Sequence, residues 1–398
     1  MTGGSGPAPN EHPCLARSDA PTRVMVWQWG RYGAGPRIAA LLAGGFDALG
    51  GAEAILSLSQ SAEILGEPDA PPCALPVATY AGVLGLALRL AMAPLTVMRL
   101  GRRLRRLGPR AAVCAMPGPL DLLMVTALRR NGVPVAVIVH DAEAHPGDGF
   151  PLQFRLQRAM LRRVDLVIAL SSHVATRLRT NGSLRPGVPV LVTRLPPLAF
   201  VPGTPPNAHA GPRRVLCFGR LRTYKGLDLL AEALRLLGPR PDMEVRIVGQ
   251  GPESAALAAL RALPGVQVEN RWVPEGEVTT VLDWADIVVL PYREASQSGI
   301  APTALASGRR VVATRVGGLA EQLEAEPLAT VCEPDAASLA AALRGAVECR
   351  DEMSAAAGDG AETWRRLAAG VLTALAPGRP VDVRVRRDAE AVSEVPGS

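Results

Sequence analysis

Short runs of unbroken apolar residues recur along this chain, and each is followed by a longer stretch with helical spacing. Val135–Val139 reads VAVIV and Ile287–Leu290 reads IVVL, with no polar position on either face of the pleat. A strand of that kind has to be covered from both sides, which is the situation of a parallel sheet wrapped by helices. The same pattern places strands at Val24–Trp27, Ala111–Ala115, Leu166–Leu170 and, more briefly, Val190–Thr193. Past the Pro-rich break PGTPPNAHAGP at 202–212 it begins again, with strands at Val215–Phe218, Val245–Val248, Ile287–Leu290 and Val311–Thr314. Leu227–Leu237 carries apolar residues at 227, 230, 231, 234 and 237, the period of an amphipathic helix, and Gly238-Pro239 stops it. The fold class expected is α/β, with two Rossmann-like domains whose strand carboxyl ends face a central cleft.

A chain of 398 residues has room for two cores of ordinary size. Residues 1–22, rich in Pro, Gly and Ser, read as a disordered leader. The first domain is placed at 23–201, the linker at 202–212 and the second domain at 213–361. Glu362–Ala374 looks helical within a segment 362–377, and 378–398 reads as a polar, disordered tail.

The formal charge is +6, from 43 basic and 37 acidic residues, a mild excess that suits anionic substrates or an anionic membrane surface. Nucleic acid is set aside, because no motif for it is present and a 4% aromatic share is too small for a stacking surface. Cys14, Cys73, Cys114, Cys217, Cys332 and Cys349 are scattered without a C-x-x-C pair, which argues against a metal cluster or disulfide framework. The start, MTGGSGPAPNEHPC, lacks the basic and apolar regions of a signal peptide. A cytoplasmic location is therefore expected, with the inner face of the cytoplasmic membrane in reach. That second part rests on Val77–Met98, nearly all apolar but broken by Arg89 and Pro94, and on Arg99, Arg102, Arg103, Arg105 and Arg106 after it. The uncharged piece before Arg89 is shorter than the roughly 20 residues of a spanning helix. Buried or surface helices of a soluble domain, a monotopic membrane-contacting helix and a true span all stay open, in that order.

The segment Gly219–Gly226, GRLRTYKG, follows the strand Val215–Phe218 directly. It sets Arg220 and Lys225 across a strand-to-helix turn, beside the free N–H groups of the following helix, and so makes an anion site suited to a diphosphate. The bland reading is solvated surface, which is the commoner fate of cations in turns. Gly249, in VGQGPE, follows another strand, and its glycines would let a base or sugar approach the backbone; an ordinary turn reads as well. In PYREASQSG, Ser298 suits an N-cap, Pro302 a first helical turn and Gly308 the position past the helix end. The SQSG loop, with Ser296, Ser298 and Gly299, then offers backbone N–H groups and two hydroxyls at the same cleft edge. A merely well-capped helix is the alternative.

In order and spacing, GRLRTYKG, VGQGPE, ADIVVLPYREASQSG and RRVVATRVGGLAE resemble family 4 of the nucleotide-sugar glycosyltransferases, the group 1 enzymes of GT-B fold. The likeness covers 213–325 closely and extends less tightly to VHDAEAHPG at 139–147 and to DLVIALS at 165–171. Trp364 matches the late helix that crosses back to the first domain in that fold. The resemblance implies that Arg220, Lys225 and the SQSG amides, with Gly219 and Gly249, bind the donor diphosphate. It places His140 at the sugar and acceptor end of the cleft as a catalytic residue, with Asp141 and His145 on the acceptor side. Gly33, in GRYGAGPR, matches the family's glycine-rich loop.

One departure concerns the two glutamates that many members carry around this loop. Aligning Gly308 to the family's glycine puts Ala295 and Thr303 at those positions; Glu294, one residue early, is taken as a donor-binding residue that covers for the first, and nothing replaces the second. Ribose recognition and the donor's identity are thereby put in doubt. The activity implied is a hexosyltransferase-type transfer from a nucleoside-diphosphate sugar to a hydroxyl acceptor, with retention. No cofactor or metal is expected, since no Asp-x-Asp pair stands in a suitable loop. The acceptor expected is a lipid-linked glycan in surface-polysaccharide assembly, a soluble one being the alternative. A catalytically inactive partner subunit and a nucleotide-sugar epimerase of the same fold remain as other readings. A dinucleotide enzyme does not, because Gly33-x-Gly35 is an incomplete fingerprint without its acidic partner.

Overall fold

The computed structural model describes residues 20–143, 151–198, 211–349 and 360–376, the side chains of 151 and 152 excepted, and the backbone of 382–384 and 393–394. His145, nearly all of the expected leader and linker, and most of the expected tail lie outside the described residues.

The chain first alternates β1 (Thr22–Gln28), α1 (Ala34–Asp47) and β2 (Ala52–Leu58), then runs through α2 (Gly82–Ala91) and α3 (Ala93–Leu107). There follow β3 (Ala111–Cys114), α4 (Asp121–Arg130), β4 (Val135–Val139), α5 (Pro151–Leu161), β5 (Leu166–Ala169), α6 (Ser172–Thr180) and β6 (Val190–Val192). The second half opens with β7 (Arg213–Phe218), α7 (Leu227–Leu237), β8 (Met243–Gly249), α8 (Ala255–Arg261), β9 (Val266–Asn270) and α9 (Glu275–Asp283). It continues through β10 (Ile287–Leu290), α10 (Ile300–Ala306), β11 (Arg310–Thr314), α11 (Gly317–Leu323), β12 (Ala329–Cys332) and α12 (Ala336–Glu348). Last come α13 (Gly360–Leu375), β13 (Asp382–Arg384) and β14 (Ser393–Glu394).

Two sheets result, in the orders β14-β13-β6-β5-β4-β3-β1-β2 and β12-β11-β10-β7-β8-β9. Every pairing is parallel except that of β13 with β14. The unbroken apolar runs do what their composition requires. Val135, Val137 and Val139 of β4 enter one core with Trp27 and Met124, while Ala136 and Ile138 enter another with Leu42 and Phe46. Likewise Ile287 and Val289 of β10 face α7 and α12, whereas Val288 and Leu290 face α10 and α11. Burying each Val or Ile in this way contributes about 1.5–3 kcal/mol.

The strands that composition did not mark are β2, β9 and β12, and all three are sheet edges. β2 carries Glu53 and Ser57, β9 alternates as VQVEN, and β12 is short. β9 and β12 are only partly buried, so the doubly apolar signature is missing there, whereas β2 is buried along most of its length and is broken by Glu53 and Ser57 instead. A further difference lies in the tail, where Asp382–Arg384 pairs with β6 although 378–398 reads as disordered from composition.

α13 belongs to the first core. Trp364, Leu367, Ala368 and Val371 pack with Ile38 and Leu42 of α1, and Trp364 Nε1 donates to the Pro197 carbonyl at 2.9 Å. Gly45 makes the crossing possible, because a Cβ there would stand 2.6 Å from the Trp364 carbonyl oxygen. Val77–Met98 becomes the end of a loop and two helices, α2 and α3, bent by 72° at Met92. Pro94 sits in the first turn of α3, where its missing N–H costs nothing. Among the described residues no single helix is long and apolar enough to cross a membrane.

Candidate active site

At the carboxyl end of β7 the chain turns at Gly219 (φ +125) and makes one tight turn at Thr223–Lys225. It then passes through Gly226 (φ +67) into α7. The turn projects Arg220, exposed, with Nη2 donating to the Tyr224 hydroxyl at 3.0 Å. Lys225 is partly buried, and its Nζ stands 3.7 Å from the centroid of the Tyr292 ring and 5.2 Å from that of Tyr224. Ring faces favour a cation but do not neutralise it. Burial pushes the Lys225 ammonium down to about 8 from its ordinary 10.5, and the neighbouring Arg220 pushes the same way. Two adjacent cations, one of them desolvated, form a site that an anion would stabilise.

The glycines around this turn serve backbone contacts. A Cβ on Gly226 would lie 1.7 Å from the Pro291 carbonyl oxygen, one on Gly249 1.8 Å from that of Gly219, and one on Gly251 2.0 Å from that of Leu221. The loops after β7, β8 and β10 are thus nested on each other.

The SQSG loop is held as tightly. Ser298 donates its N–H to Gln322 Oε1 at 2.8 Å and accepts from Gln322 Nε2 at its carbonyl, also at 2.8 Å. Its hydroxyl accepts from the Ala301 N–H at 3.3 Å, although Gly299 rather than Ser298 is the N-cap of α10, and hydrogen-bonds Tyr292. The Ser296 carbonyl accepts from the Ser171 hydroxyl at 3.1 Å. So the Ser298 amide and hydroxyl, expected to face a ligand, are committed to the loop's own frame. α11 presses on the loop because Gly317 and Gly318 have no side chain; a Cβ on either would meet the carbonyl oxygen of Ala295 or Ser296 at about 2 Å. Ala295 is buried, and Thr303, also buried, accepts the Leu198 N–H at 3.0 Å. Neither supplies a carboxylate. Glu294 is partly buried beside them, and Arg293 pairs with Asp228 at 2.7 Å.

From the first sheet, His140 stands at the carboxyl end of β4, with Nε2 3.1 Å from the Ala115 carbonyl and Nδ1 3.4 Å from Gln297 Nε2. Burial lowers its pKa, against the pull of Asp141. Asp141 in turn acts on Lys225 from across the cleft. His140, Asp141, Lys225 and the SQSG loop are thereby brought together, between the carboxyl ends of the two sheets. Gly33 ends the loop before α1 at φ +80, and a Cβ there would meet nothing within 4 Å. Its conformation, not crowding, asks for glycine.

Composition gave no hint of what bridges the cleft. On one flank Arg37 pairs with the buried Glu275, and the rings of Tyr32 and Trp272 meet edge-on at 6.0 Å. On the other, both carboxylate oxygens of Glu321 accept from the Ser172 N–H, at 3.0 and 2.8 Å, at the N-terminus of α6, where the helix dipole favours negative charge. Gln297, Gln322 and Glu321 were all missed in the sequence, because each acts through a partner more than a hundred positions away or through a loop whose path is set by packing.

Residues 212–348 match the family model described as "Glycosyl transferases group 1", and residues 37–193 match "Glycosyltransferase Family 4". The D-inositol 3-phosphate glycosyltransferase of Corynebacterium diphtheriae is 34% identical over 140 residues, which cover 30% of this chain and 33% of that protein. The lipopolysaccharide core biosynthesis mannosyltransferase LpsB of Rhizobium meliloti is 31% identical over 180 residues, covering 41% of this chain and 48% of that one. The chain thus spans about a third to a half of the length of these curated relatives. Among solved structures, Anabaena Alr3699/HepE in complex with UDP-glucose superposes with a TM-score of 0.64 at 16% identity, covering 88% of this chain and 99% of that one. At that identity the likeness is one of fold.

Proposed function

This chain belongs to the group 1 glycosyl transferases and has the GT-B fold, and on that footing we propose that it moves a hexosyl group from a nucleoside-diphosphate sugar to a hydroxyl acceptor. The observation that carries the reading is the desolvated Lys225 beside Arg220, facing His140 and Asp141 across the cleft. In the step proposed, the acceptor oxygen forms a bond to the anomeric carbon as the bond from that carbon to the diphosphate breaks. The acceptor's proton passes to the departing phosphate oxygen on the same face of the sugar, so configuration is retained. Arg220 and Lys225 compensate the charge that develops on the leaving diphosphate, a task that fixed cations perform without a metal. His140, neutral and buried, orients the sugar.

The test is release of nucleoside diphosphate from a panel of UDP-, GDP-, ADP- and dTDP-sugars, with and without hydroxyl acceptors. Turnover of one donor only when an acceptor is present supports transfer. Turnover without acceptor favours an epimerase. Binding and turnover of none would favour a partner subunit, the reading to which Ala295 and Thr303 in place of carboxylates lend weight.

Lys225 also sets a pH dependence. Its ammonium is charged below about 8 and loses its proton above, so kcat/KM for the donor should fall as pH rises through about 8. Lys225→Arg should move that limb upward, because a guanidinium stays charged. A profile flat to pH 10, or a limb unmoved in the arginine variant, would remove Lys225 from donor binding.

The acceptor side is proposed to lie at an anionic membrane face. Val83, Leu84 and Leu88 on α2 are 73%, 88% and 60% exposed, and Met98 on α3 is exposed too; these are four of the seven large apolar side chains so exposed among the described residues. Arg99, Arg102, Arg103, Arg105 and Arg106 are exposed along α3 beside them. An apolar knuckle flanked by cations suits an anionic bilayer surface and brings a lipid-linked acceptor within reach. Vesicles with phosphatidylserine should sediment the protein and neutral vesicles should not. Arg102→Glu/Arg103→Glu should weaken that binding by about thirtyfold or more, at about 1 kcal/mol per lost cation. Equal binding to neutral vesicles would overturn the assignment.

A further inference from the structure

Of the 43 basic residues in this chain, Lys225 is the single lysine, and all the others are arginines. It stands where two aromatic rings converge, its Nζ 3.7 Å from the centroid of Tyr292 and 5.2 Å from that of Tyr224. Burial is what chiefly lowers its pKa, and Arg220 on the same turn adds to the effect; Tyr224, Cys217 of β7 and Asp141 across the cleft act the other way, Asp141 least. Burial also pushes the Cys217 thiol up to about 12 and the Tyr292 phenol well above its ordinary value. Both are therefore neutral over the range in which Lys225 titrates. What stabilises the ammonium at close range is a ring face, since a cation within about 6 Å of a ring centroid is drawn to it.

The ring is held from both ends. Tyr292 is 2% exposed, its carbonyl accepts from the Thr314 hydroxyl at 2.5 Å, and its own hydroxyl hydrogen-bonds the Ser298 side chain. One residue on, the Arg293 N–H donates to the Tyr224 carbonyl at 2.8 Å, so the loop after β10 is fastened to the turn that carries Lys225. The two cations are thus divided between two tyrosines: the Tyr224 hydroxyl accepts from Arg220, and the Tyr292 ring faces Lys225. A carboxylate in place of that ring would hold the ammonium more strongly, but it would also cancel the charge that a diphosphate needs. A neutral ring stabilises the cation and leaves its charge for the ligand.

We infer that Tyr292 is a positioning residue for the donor diphosphate: its ring face holds the Lys225 ammonium in place, and its hydroxyl ties that cation to the SQSG loop. The inference rests on the glycosyl-transfer reading of this cleft. Tyr292, Lys225, Ser298 and Thr314 all belong to the second sheet's unit, so the arrangement does not depend on the first sheet's approach.

Two readouts test it, and one needs no donor. Because Lys225 is the single lysine, protein labelled with 13C-lysine shows one lysine side chain by NMR, and its titration midpoint in the unliganded parent should lie at about 8. In Tyr292→Met, which fills most of the space without a ring face, the midpoint should fall by about one unit. Tyr292→Phe keeps the face and should leave the midpoint in place. Trifluorophenylalanine at 292 keeps the ring's shape with a weakened face, so its midpoint should fall below that of Tyr292→Phe. That comparison stands even if Tyr292→Met does not fold. The kinetic readout is kcat/KM for the donor against pH. Tyr292→Met should lose about tenfold above about pH 8 and recover toward the parent near about pH 6, where the ammonium is charged in both. A residue that merely supported the fold would lose activity equally at every pH. Tyr292→Phe should lose about threefold to tenfold at all pH values, for the hydrogen bond to Ser298. A midpoint unmoved by both Tyr292→Met and the fluorinated ring overturns the contact. A loss independent of pH in Tyr292→Met overturns the positioning role, and full activity in Tyr292→Phe overturns the tie to the SQSG loop. Turnover of no donor by the parent sinks the glycosyl-transfer reading and the positioning role with it, while the lysine signal still decides whether the ring holds the ammonium.

Discussion

Replacing Arg220 and Lys225 together with alanine should cut nucleoside diphosphate release at least about a thousandfold, since one such donor to a developing anion is typically worth 10²–10³ in rate. The expectation follows from position. Lys225 is already partly stripped of water, with the Tyr292 ring 3.7 Å from its Nζ, so its charge is poorly screened and acts strongly on an anion placed next to it. Arg220 is exposed and turned by Tyr224, so it can reach a ligand entering from solvent. The effect should fall mostly on kcat, because charge on the leaving diphosphate grows as the bond stretches. Each single variant should lose less than the pair, and the sum need not be additive for neighbouring cations. A double variant within tenfold of the parent would place the leaving group elsewhere.

Gly226→Ala should be the most damaging single methyl in the second sheet's unit. The residue sits at φ +67, and its Cβ would lie 1.7 Å from the Pro291 carbonyl oxygen. The left-handed backbone costs about 1–2 kcal/mol for a residue with a Cβ, and forcing atoms into a packed contact costs about 1–3 kcal/mol more. A loss of about 2–5 kcal/mol in denaturant unfolding is therefore expected. Gly265→Ala is the comparison: it has a similar φ of +73, but its Cβ would stand 3.7 Å from the Met243 carbonyl oxygen. It should show the backbone cost alone. Equal losses in the two variants would mean that the loop after β10 yields easily, and that the nesting against Pro291 is not a constraint. Gly226→Ala should also lose donor turnover, because the same turn carries Lys225.

Most of the fold was legible, and the limit of legibility has a pattern. Interior strands such as β4 and β10 are covered on both faces, so burial leaves its mark on every residue, and VAVIV and IVVL could hardly be read otherwise. The edges β9 and β12 are less fully covered, and β2, though mostly buried, mixes apolar with polar residues, so composition alone passed all three by. The pairing of β13 with β6 is made by a segment with no apolar signature. Val77–Met98 was legible as apolar and basic, but only packing decided that it makes two helices at 72°, with Val83, Leu84 and Leu88 left outside the core.

The site divides in the same way. Arg220 and Lys225 stand two and seven residues past the end of their own strand, and local rules about strand ends and helix starts suffice to single them out. The meaning of the glycines was not local. Gly249 read as room for a ligand, yet there, as at Gly226 and Gly318, another loop's carbonyl passes within about 2 Å of where a side chain would begin. Ser298 read as a ligand donor, yet Gln322 takes its amide. His140 and Gln297 lie 157 positions apart, in different sheets. Sequence by itself determined the periodicities, and with them the layers, the strand ends and the charged turn, because those depend on neighbours within a few residues. Which buried polar groups find one another across the cleft was decided only by tertiary structure, because a hydrogen bond is set by distances of a few ångströms between segments that the chain does not keep close.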